Sequence, residues 1–212
     1  MSSDLELRPL APGEQDAAMR VHLAARRQAE RQGTMPVGLH TADEGLRWFR
    51  DQVVPHREVW VGTVRVGARV GTLPPGARVG AEGGAEGGAE GDREATASQV
   101  VAVLVLDEAF LDQLYVAPGQ QRRGIGSALL DLARSLRPGG FCLWVFESNR
   151  PAIRLYERHG LRLVERTDGA GNEEGAPDRR YCWDGVGKPR RGHGANPGAD
   201  PGANTGAGPT PR

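Results

Sequence analysis

No apolar run in this chain approaches the ~18 residues that a membrane-spanning helix needs, so no membrane association is expected. Neither sign of charge is in excess, with 27 Lys and Arg against 27 Asp and Glu. That balance removes the global basic field on which nucleic-acid binding relies, and the acidic excess of a solvating tail. Cysteine is scarce: Cys142 and Cys182 lie far apart, with no C-x-x-C neighbour. Such a pair is neither a disulfide framework nor a zinc pattern, and no metal is expected. Both sit in apolar, strand-like runs, which reads as packed thiols in a reducing cytosol. Met1-Ser2-Ser3-Asp4 lacks the basic and apolar regions of a signal peptide, so a cytoplasmic protein is the default.

Glycine is abundant, at 31 residues of 212, where the usual share is roughly 7%. Most of the excess falls in two blocks. Between Gly62 and Ser98 the chain is rich in glycine, alanine, valine and arginine, with Gly-Ala-Glu-Gly repeating from Gly80 to Gly91. A segment without aromatic side chains has little to bury and cannot offset its chain entropy. Residues 67–97 are therefore read as a disordered insertion in a hairpin. Residues 187–212 read as a disordered Gly/Pro-rich tail, its Lys188-Pro189-Arg190-Arg191 cluster solvated. What remains, residues 1–186, is long enough for a single domain with a real core.

Within that domain, Leu5–Leu10 alternates as a short strand. A helical pattern opens at Pro12 and stops near Gly33. Thr41 and Glu44 form a capping box for a second helix, ended by Pro55. Strands follow at Glu58–Val61, Gln99–Leu106 and Phe110–Val116, with Asp107-Glu108 as the turn between the last two. A helix begins after Gly124, a buried strand covers Phe141–Phe146, and a helix starts near Pro151 with Gly160 as its left-handed cap. Leu161–Val164 and Tyr181–Trp183 close the domain as strands. This order predicts a mixed α/β sheet flanked by helices.

The chemistry concentrates at Gln121-Arg122-Arg123-Gly124-Ile125-Gly126-Ser127. A helix N-terminus carries unsatisfied N–H groups and about half a positive charge. Glycines at 124 and 126 remove Cβ atoms that would hold a phosphate away, giving a main-chain anion cradle that Ser127, Arg122 and Arg123 can assist. A tight turn with close helix–sheet packing is the alternative reading of the same glycines. No Gly-Lys-Ser/Thr follows, which excludes a P-loop nucleotidase, and Leu129 stands where a dinucleotide fold needs a third glycine.

Leu114-Tyr115-Val116-x-Pro118, followed by Gln121-x-x-Gly124-x-Gly126-x-x-Leu129-Leu130, resembles the acetyl-CoA signature of the GNAT acetyltransferases. Asn149-x-x-Ala152-Ile153-x-Leu155-Tyr156-Glu157-x-x-Gly160-Leu161 resembles the second segment of that family, in the right order and at the right distance. The resemblance spans roughly Leu5 to Trp183. It implies a mostly antiparallel central sheet, splayed at the coenzyme site, and transfer of acetyl from acetyl-CoA to an amine in a ternary complex. It assigns Leu114, Tyr115 and Val116 to main-chain pairing with the pantetheine arm. Main-chain N–H groups of Arg122, Arg123, Gly124, Ile125, Gly126 and Ser127 fall to the pyrophosphate. Asn149 is placed near the thioester, and Tyr156 is the acid for the departing thiolate. The acceptor is then a small-molecule or peptide amine, with a homodimer left open.

Some members carry a glutamate on the strand five residues before the asparagine; Trp144 stands there instead. The base is therefore open, with Asp112, Glu147, Glu173 and Glu174 as candidates and none assigned. That departure also keeps a second reading in view, a coenzyme-binding module without turnover. Trp48, Phe49, Trp60 and Trp144 are candidates for an acceptor pocket, with core packing as the alternative. Asn149 equally suits a helix N-cap, and His159 a helix C-terminus.

Overall fold

The structure, a computed structural model, describes residues 5–65 and 98–186. The insertion at 67–97 and the tail at 187–212 lie outside the described residues. The first half of the domain contains β1 (Leu5–Pro9), α1 (Gln15–Arg31), α2 (Ala42–Trp48), β2 (Glu58–Arg65), β3 (Ser98–Leu106) and β4 (Leu111–Val116). The second half contains α3 (Ile125–Leu136), β5 (Phe141–Phe146), α4 (Arg150–Arg158), β6 (Arg162–Arg166) and β7 (Asp178–Trp183). The element order is the one the sequence pattern predicts.

Local chemistry explains the boundaries. Helix α1 starts at Gln15 rather than at Pro12, because Gly13 turns with φ +86°. Glu14 then binds Arg8 at 2.7 Å and the Ala11 N–H at 3.0 Å. The Thr41/Glu44 capping box of α2 forms, with both reciprocal bonds present. A single π-type turn, Phe49–Val53, extends α2 and drives Phe49 and Val53 fully into the core. Gly160 takes φ +72° after α4, as a left-handed cap requires.

Strand β3 is buried on both faces and anchors two hydrophobic layers. Ala102, Leu104 and Leu106 pack with Ile125, Leu129, Leu130 and Ala133 of α3. Val103 and Val105 point the other way, onto Ala18, Met19 and Val21 of α1 and Phe49 and Val53. Period-two alternation on a strand sandwiched by helices produces the nearly continuous apolar run seen in the sequence.

The strands form a four-stranded antiparallel sheet, β1-β2-β3-β4, and a three-stranded antiparallel sheet, β5-β7-β6. The two meet at one parallel bridge, Phe110↔Cys142, where the Cys142 N–H donates to the Ala109 carbonyl at 2.9 Å. The contact lies at the beginnings of β4 and β5. Toward their ends these neighbouring strands are unpaired among the described residues, so the seam opens at Leu114–Val116. The expected mixed, mostly antiparallel architecture flanked by helices is present.

The cysteine reading is corrected. Cys142 on β5 and Cys182 on β7 are directly opposed in the strand register, with Cα atoms 4.0 Å apart, and form a disulfide rather than two packed thiols. Their distance in sequence gave no sign of this, because only the β5–β7 pairing brings them together. The bond closes a loop of sequence separation 40, which by chain entropy is worth about 4 kcal/mol. Reduction is thus expected to lower the thermal midpoint by several degrees, and Cys142→Ser should reproduce the loss. Titration of two free thiols in the native, unreduced protein would contradict the pairing.

Candidate functional site

The open seam leads into the glycine motif. After β4, Ala117 donates to the Val101 carbonyl at 2.8 Å, and a short 3-10 turn, Pro118–Gln120, reverses the chain. Gln121 Nε2 donates back to the Val116 carbonyl at 3.1 Å, closing the loop onto the end of β4. Arg122 then adopts φ +62° and Gly124 φ +86°, two left-handed residues within three positions. This double reversal aims the chain into α3. The N–H groups of residues 122–127 find no hydrogen-bond acceptor among the described residues.

The two motif glycines have different reasons. A Cβ at Gly124 would meet no atom within 4 Å, so its requirement is the left-handed backbone. A Cβ at Gly126 would lie 3.2 Å from Leu155 Cδ2, so that glycine lets α3 close on α4. Tight-turn and packing explanations therefore hold together with the cradle geometry. Two of the side chains expected to assist the cradle have partners within the protein. The Ser127 hydroxyl is engaged with His159 Nε2 at 3.0 Å, and Arg123 donates to Gln120 Oε1 at 2.6 Å. His159 at the end of α4 ties that helix to α3, a structural use consistent with its place at the C-terminus.

Asn149 caps α4, its side chain accepting from the Ala152 N–H at 3.2 Å. Nearly two turns into α4, Tyr156 is buried at 7% exposure, its ring 6.5 Å from that of Tyr181. Burial pushes its phenol well above the usual tyrosine range, and the neighbouring Tyr115 adds to the shift. Tyr156 therefore holds its proton across the whole neutral and moderately alkaline range.

On the other side of β4 lies a small cleft, open to solvent. Helix α1 contributes Met19, His22, Leu23 and Arg26, and α2 contributes Trp48. The loop between β6 and β7 contributes Glu173 and Glu174. That loop is held rigidly. Asn172 Nδ2 donates to the Ala176 carbonyl at 2.7 Å and to Asp178 Oδ2 at 3.1 Å. A Cβ at Gly169 would sit 2.4 Å from the Ala176 backbone, so only glycine permits the crossing.

A buried polar seam separates the cleft from Tyr156. His22 Nδ1–H donates to Gln113 Oε1 at 3.1 Å, and its ring lies 4.2 Å from that of Tyr115. Burial drives the His22 pKa down to about 4, with the Gln113 bond opposing and Arg26 adding repulsion. The imidazole is therefore neutral at pH 7. Burial raises the Tyr115 phenol, although the Arg26 guanidinium beside it pulls the other way. Sequence reasoning missed His22 and Arg26 altogether; both read as ordinary positions on an amphipathic helix.

The candidate carboxylates separate clearly. Asp112 pairs with Arg57 near the closed start of the β4/β5 seam. Burial raises its pKa against that pairing. Glu147 pairs with Arg179, whose bond holds its carboxyl below the usual range. Only Glu173 and Glu174 reach the cleft. Of the four aromatic candidates, Trp48 alone lines it. Phe49 is core, Trp60 donates to Glu58 at 2.8 Å, and Trp144 lies under the Arg180 guanidinium at 5.7 Å. No group of three or more His, Cys, Asp or Glu placed to hold a metal ion occurs among the described residues. No described helix is long and apolar enough to cross a membrane.

His22 generates a pH prediction. Its folded pKa lies below the unfolded value, so the native state is fully favoured above pH 6.5 and loses stability as pH falls from 6.5 toward about 4. The full loss is about 3 kcal/mol. His22→Gln should flatten that part of the stability profile relative to the parent protein. Melting curves at pH 7.5, 6 and 4.5 measure it, and parallel losses in both proteins would remove His22 as the cause.

Comparison with known proteins agrees with this geometry. The pattern of the Acetyltransferase (GNAT) family matches residues 43–161. The peptidyl-lysine N-acetyltransferase YiaC of Escherichia coli is 36% identical over 63 residues, which is 30% of this chain and 42% of that relative. The chain thus matches less than half the length of that curated relative. The solution structure of apo-form YjaB from Escherichia coli superposes with a TM-score of 0.56 at 16% identity, covering 86% of this chain and 99% of that one. The ribosomal-protein-S18-alanine N-acetyltransferase of Escherichia coli gives 0.54 at 17% identity, covering 88% and 98%. With the family pattern spanning more than half of its length, and the fold shared across the domain, this chain belongs to the GNAT acetyltransferase family.

Proposed function

We propose that the protein transfers an acetyl group from acetyl-CoA to a primary amine, directly, in a ternary complex. The observation that carries this reading is the seam that opens between β4 and β5 beside the unpaired N–H groups of residues 122–127. Unpaired amides at a helix N-terminus suit a pyrophosphate, and the unpaired edge of Leu114–Val116 suits the amide-bearing pantetheine arm. Gln121 already occupies the Val116 carbonyl, which leaves the arm the remaining polar groups of that edge. Asn149, at the N-terminus of α4, borders the thioester end.

The cleft lined by α1, Trp48 and the β6–β7 loop receives the acceptor. An alkylamine with a pKa near 10 is mostly protonated at pH 7, so its ammonium first gives a proton to water. The neutral nitrogen attacks the thioester carbonyl carbon, forming the C–N bond as the C–S bond breaks. Tyr156 donates its phenolic proton to the departing thiolate, and the acylated nitrogen gives up its extra proton, which restores the phenol. Balanced, acetyl-CoA and R–NH3+ give the acetamide, the free thiol and one proton. Burial suits Tyr156 to this role by keeping the phenol protonated, and its hydroxyl makes no hydrogen bond to a described residue that would compete.

Three outcomes test the reading. Incubation with acetyl-CoA and a panel of amines should release free thiol in proportion to acetamide formed. Coenzyme binding with no thiol release across the panel would favour a binding module instead. Tyr156→Phe should lower kcat by about a hundredfold and leave coenzyme affinity within about twofold; an unchanged kcat would remove Tyr156 as the acid. Gly124→Val forces a β-branched residue into a left-handed backbone, at a cost of about 1–3 kcal/mol. Its coenzyme Kd should rise about tenfold or more, and calorimetry showing equal affinity would place the phosphates elsewhere.

A further inference from the structure

Arg26, the guanidinium of the cleft, is shared between a cleft carboxylate and one outside it. Arg26 Nε donates to Glu30 Oε1 at 3.2 Å, while Nη2 donates to Glu174 Oε1 at 2.8 Å. Glu173 adds a third carboxylate at the rim, 2.8 Å from His40 Nε2. One permanent cation therefore serves two carboxylates, with a third beside them.

Glu174 is the unusual member. Its side chain is 4% exposed, and its second oxygen, Oε2, is buried with no hydrogen-bond partner among the described residues. A buried carboxylate oxygen without a donor is costly, and a ligand that donates to it would remove that cost. Arg26 anchors the other oxygen and Asn172 fixes the loop, so the group is preorganised. The lining around it is apolar: Met19, Leu23, Leu39 and Trp48. A mainly apolar cleft beside a desolvated carboxylate suits a hydrocarbon chain that ends in a cation.

We infer that the acceptor carries a second cationic nitrogen, separate from the amine that is acetylated, and that Glu174 Oε2 accepts a hydrogen bond from it. The substrate class is a primary amine with an ammonium or guanidinium several carbons away. Two observations separate this nitrogen from the reacting one. Tyr156 packs in the α3 layer on one face of the sheet, whereas Met19 of the cleft packs in the α1 layer on the other. A carboxylate bonded to an ammonium also stabilises its protonated form, which opposes attack by that nitrogen but costs nothing at one that never reacts. This assignment rests on the acetyl-transfer reading for the reaction, while the recognition itself is measurable without turnover.

The test compares 1,6-diaminohexane, n-hexylamine and 6-aminohexanoate, which share a chain and differ only at the far end. Calorimetry is performed with the full chain saturated in coenzyme A, and kcat/KM is measured with acetyl-CoA. The diamine should bind about tenfold more tightly than hexylamine, and the anionic compound most weakly. Glu174→Gln, nearly isosteric, should bring the diamine to the level of hexylamine while leaving hexylamine and coenzyme binding unchanged. Glu173→Gln, at the solvated rim, should change the preference far less. Equal binding of diamine and hexylamine by the parent protein would overturn the assignment, as would a preference for 6-aminohexanoate or no binding of any of the three. A Glu174→Gln variant that weakens all three alike would overturn it too, showing a structural role or an action on the reacting amine. If the diamine preference and its loss in Glu174→Gln are both observed but no thiol is released, the recognition stands and the acetyl-transfer reading fails.

Discussion

Two parallel neighbours, β4 and β5, touch at Phe110 and Cys142 and then part, and the rest of the site depends on that parting. Strands that stay paired satisfy each other's backbone groups and leave nothing for a ligand. Here each strand keeps a partner on its outer side, β3 for β4 and β7 for β5, so the sheet remains stable while the seam opens. The Cys142–Cys182 bond secures β5 to β7 close to the hinge of the opening. Apolar packing of α3 against β3 and of α4 against α3 holds the two helix N-termini toward the mouth of the seam.

From that arrangement follows a division of labour between the two faces. On one side, main-chain groups dominate: the amides of residues 122–127 and the free edge of β4. Side chains there mostly brace the frame, as the Ser127–His159, Arg123–Gln120 and Gln121–Val116 bonds do. On the other side, polar side chains dominate. His22, Gln113, Tyr115, Arg26 and Glu174 form a connected polar layer under an apolar cleft. A main-chain cradle suits a ligand shared by many proteins, since any sequence supplies amides. A side-chain layer suits selection, because each substitution alters charge or shape.

The polar layer is also where folding and function are most closely coupled. A neutral, buried His22 and a carboxylate oxygen without a donor both lower the stability of the empty domain. Such groups persist where the surrounding packing over-determines them. Phe49, Val53, Met19 and the fully buried valines of β3 supply that packing directly beneath. The rigid β6–β7 loop, pinned by Asn172 and by the Gly169 crossing, keeps Glu174 from turning out to water.

Much of the fold was legible in the sequence because its signals are local. The Thr41/Glu44 box, the apolar alternation of β3, the Gly160 cap and the order of elements each depend on residues within a few positions of one another. The glycine motif and the Asn149–Tyr156 block were legible for the same reason, and so was the family. What the sequence could not carry is pairing across distance. Cys142 and Cys182 meet only through the β5–β7 register, against the expectation of packed thiols. His22 and Arg26 look like ordinary helix positions until β4 brings Gln113 and Tyr115 beneath them and the β6–β7 loop brings Glu174 alongside. The sequence by itself determined the cradle, since backbone conformation follows from neighbouring residues. Tertiary structure alone decided the cleft beside α1, since burial, and with it the protonation of His22 and the unmet oxygen of Glu174, arises only when distant segments exclude water together.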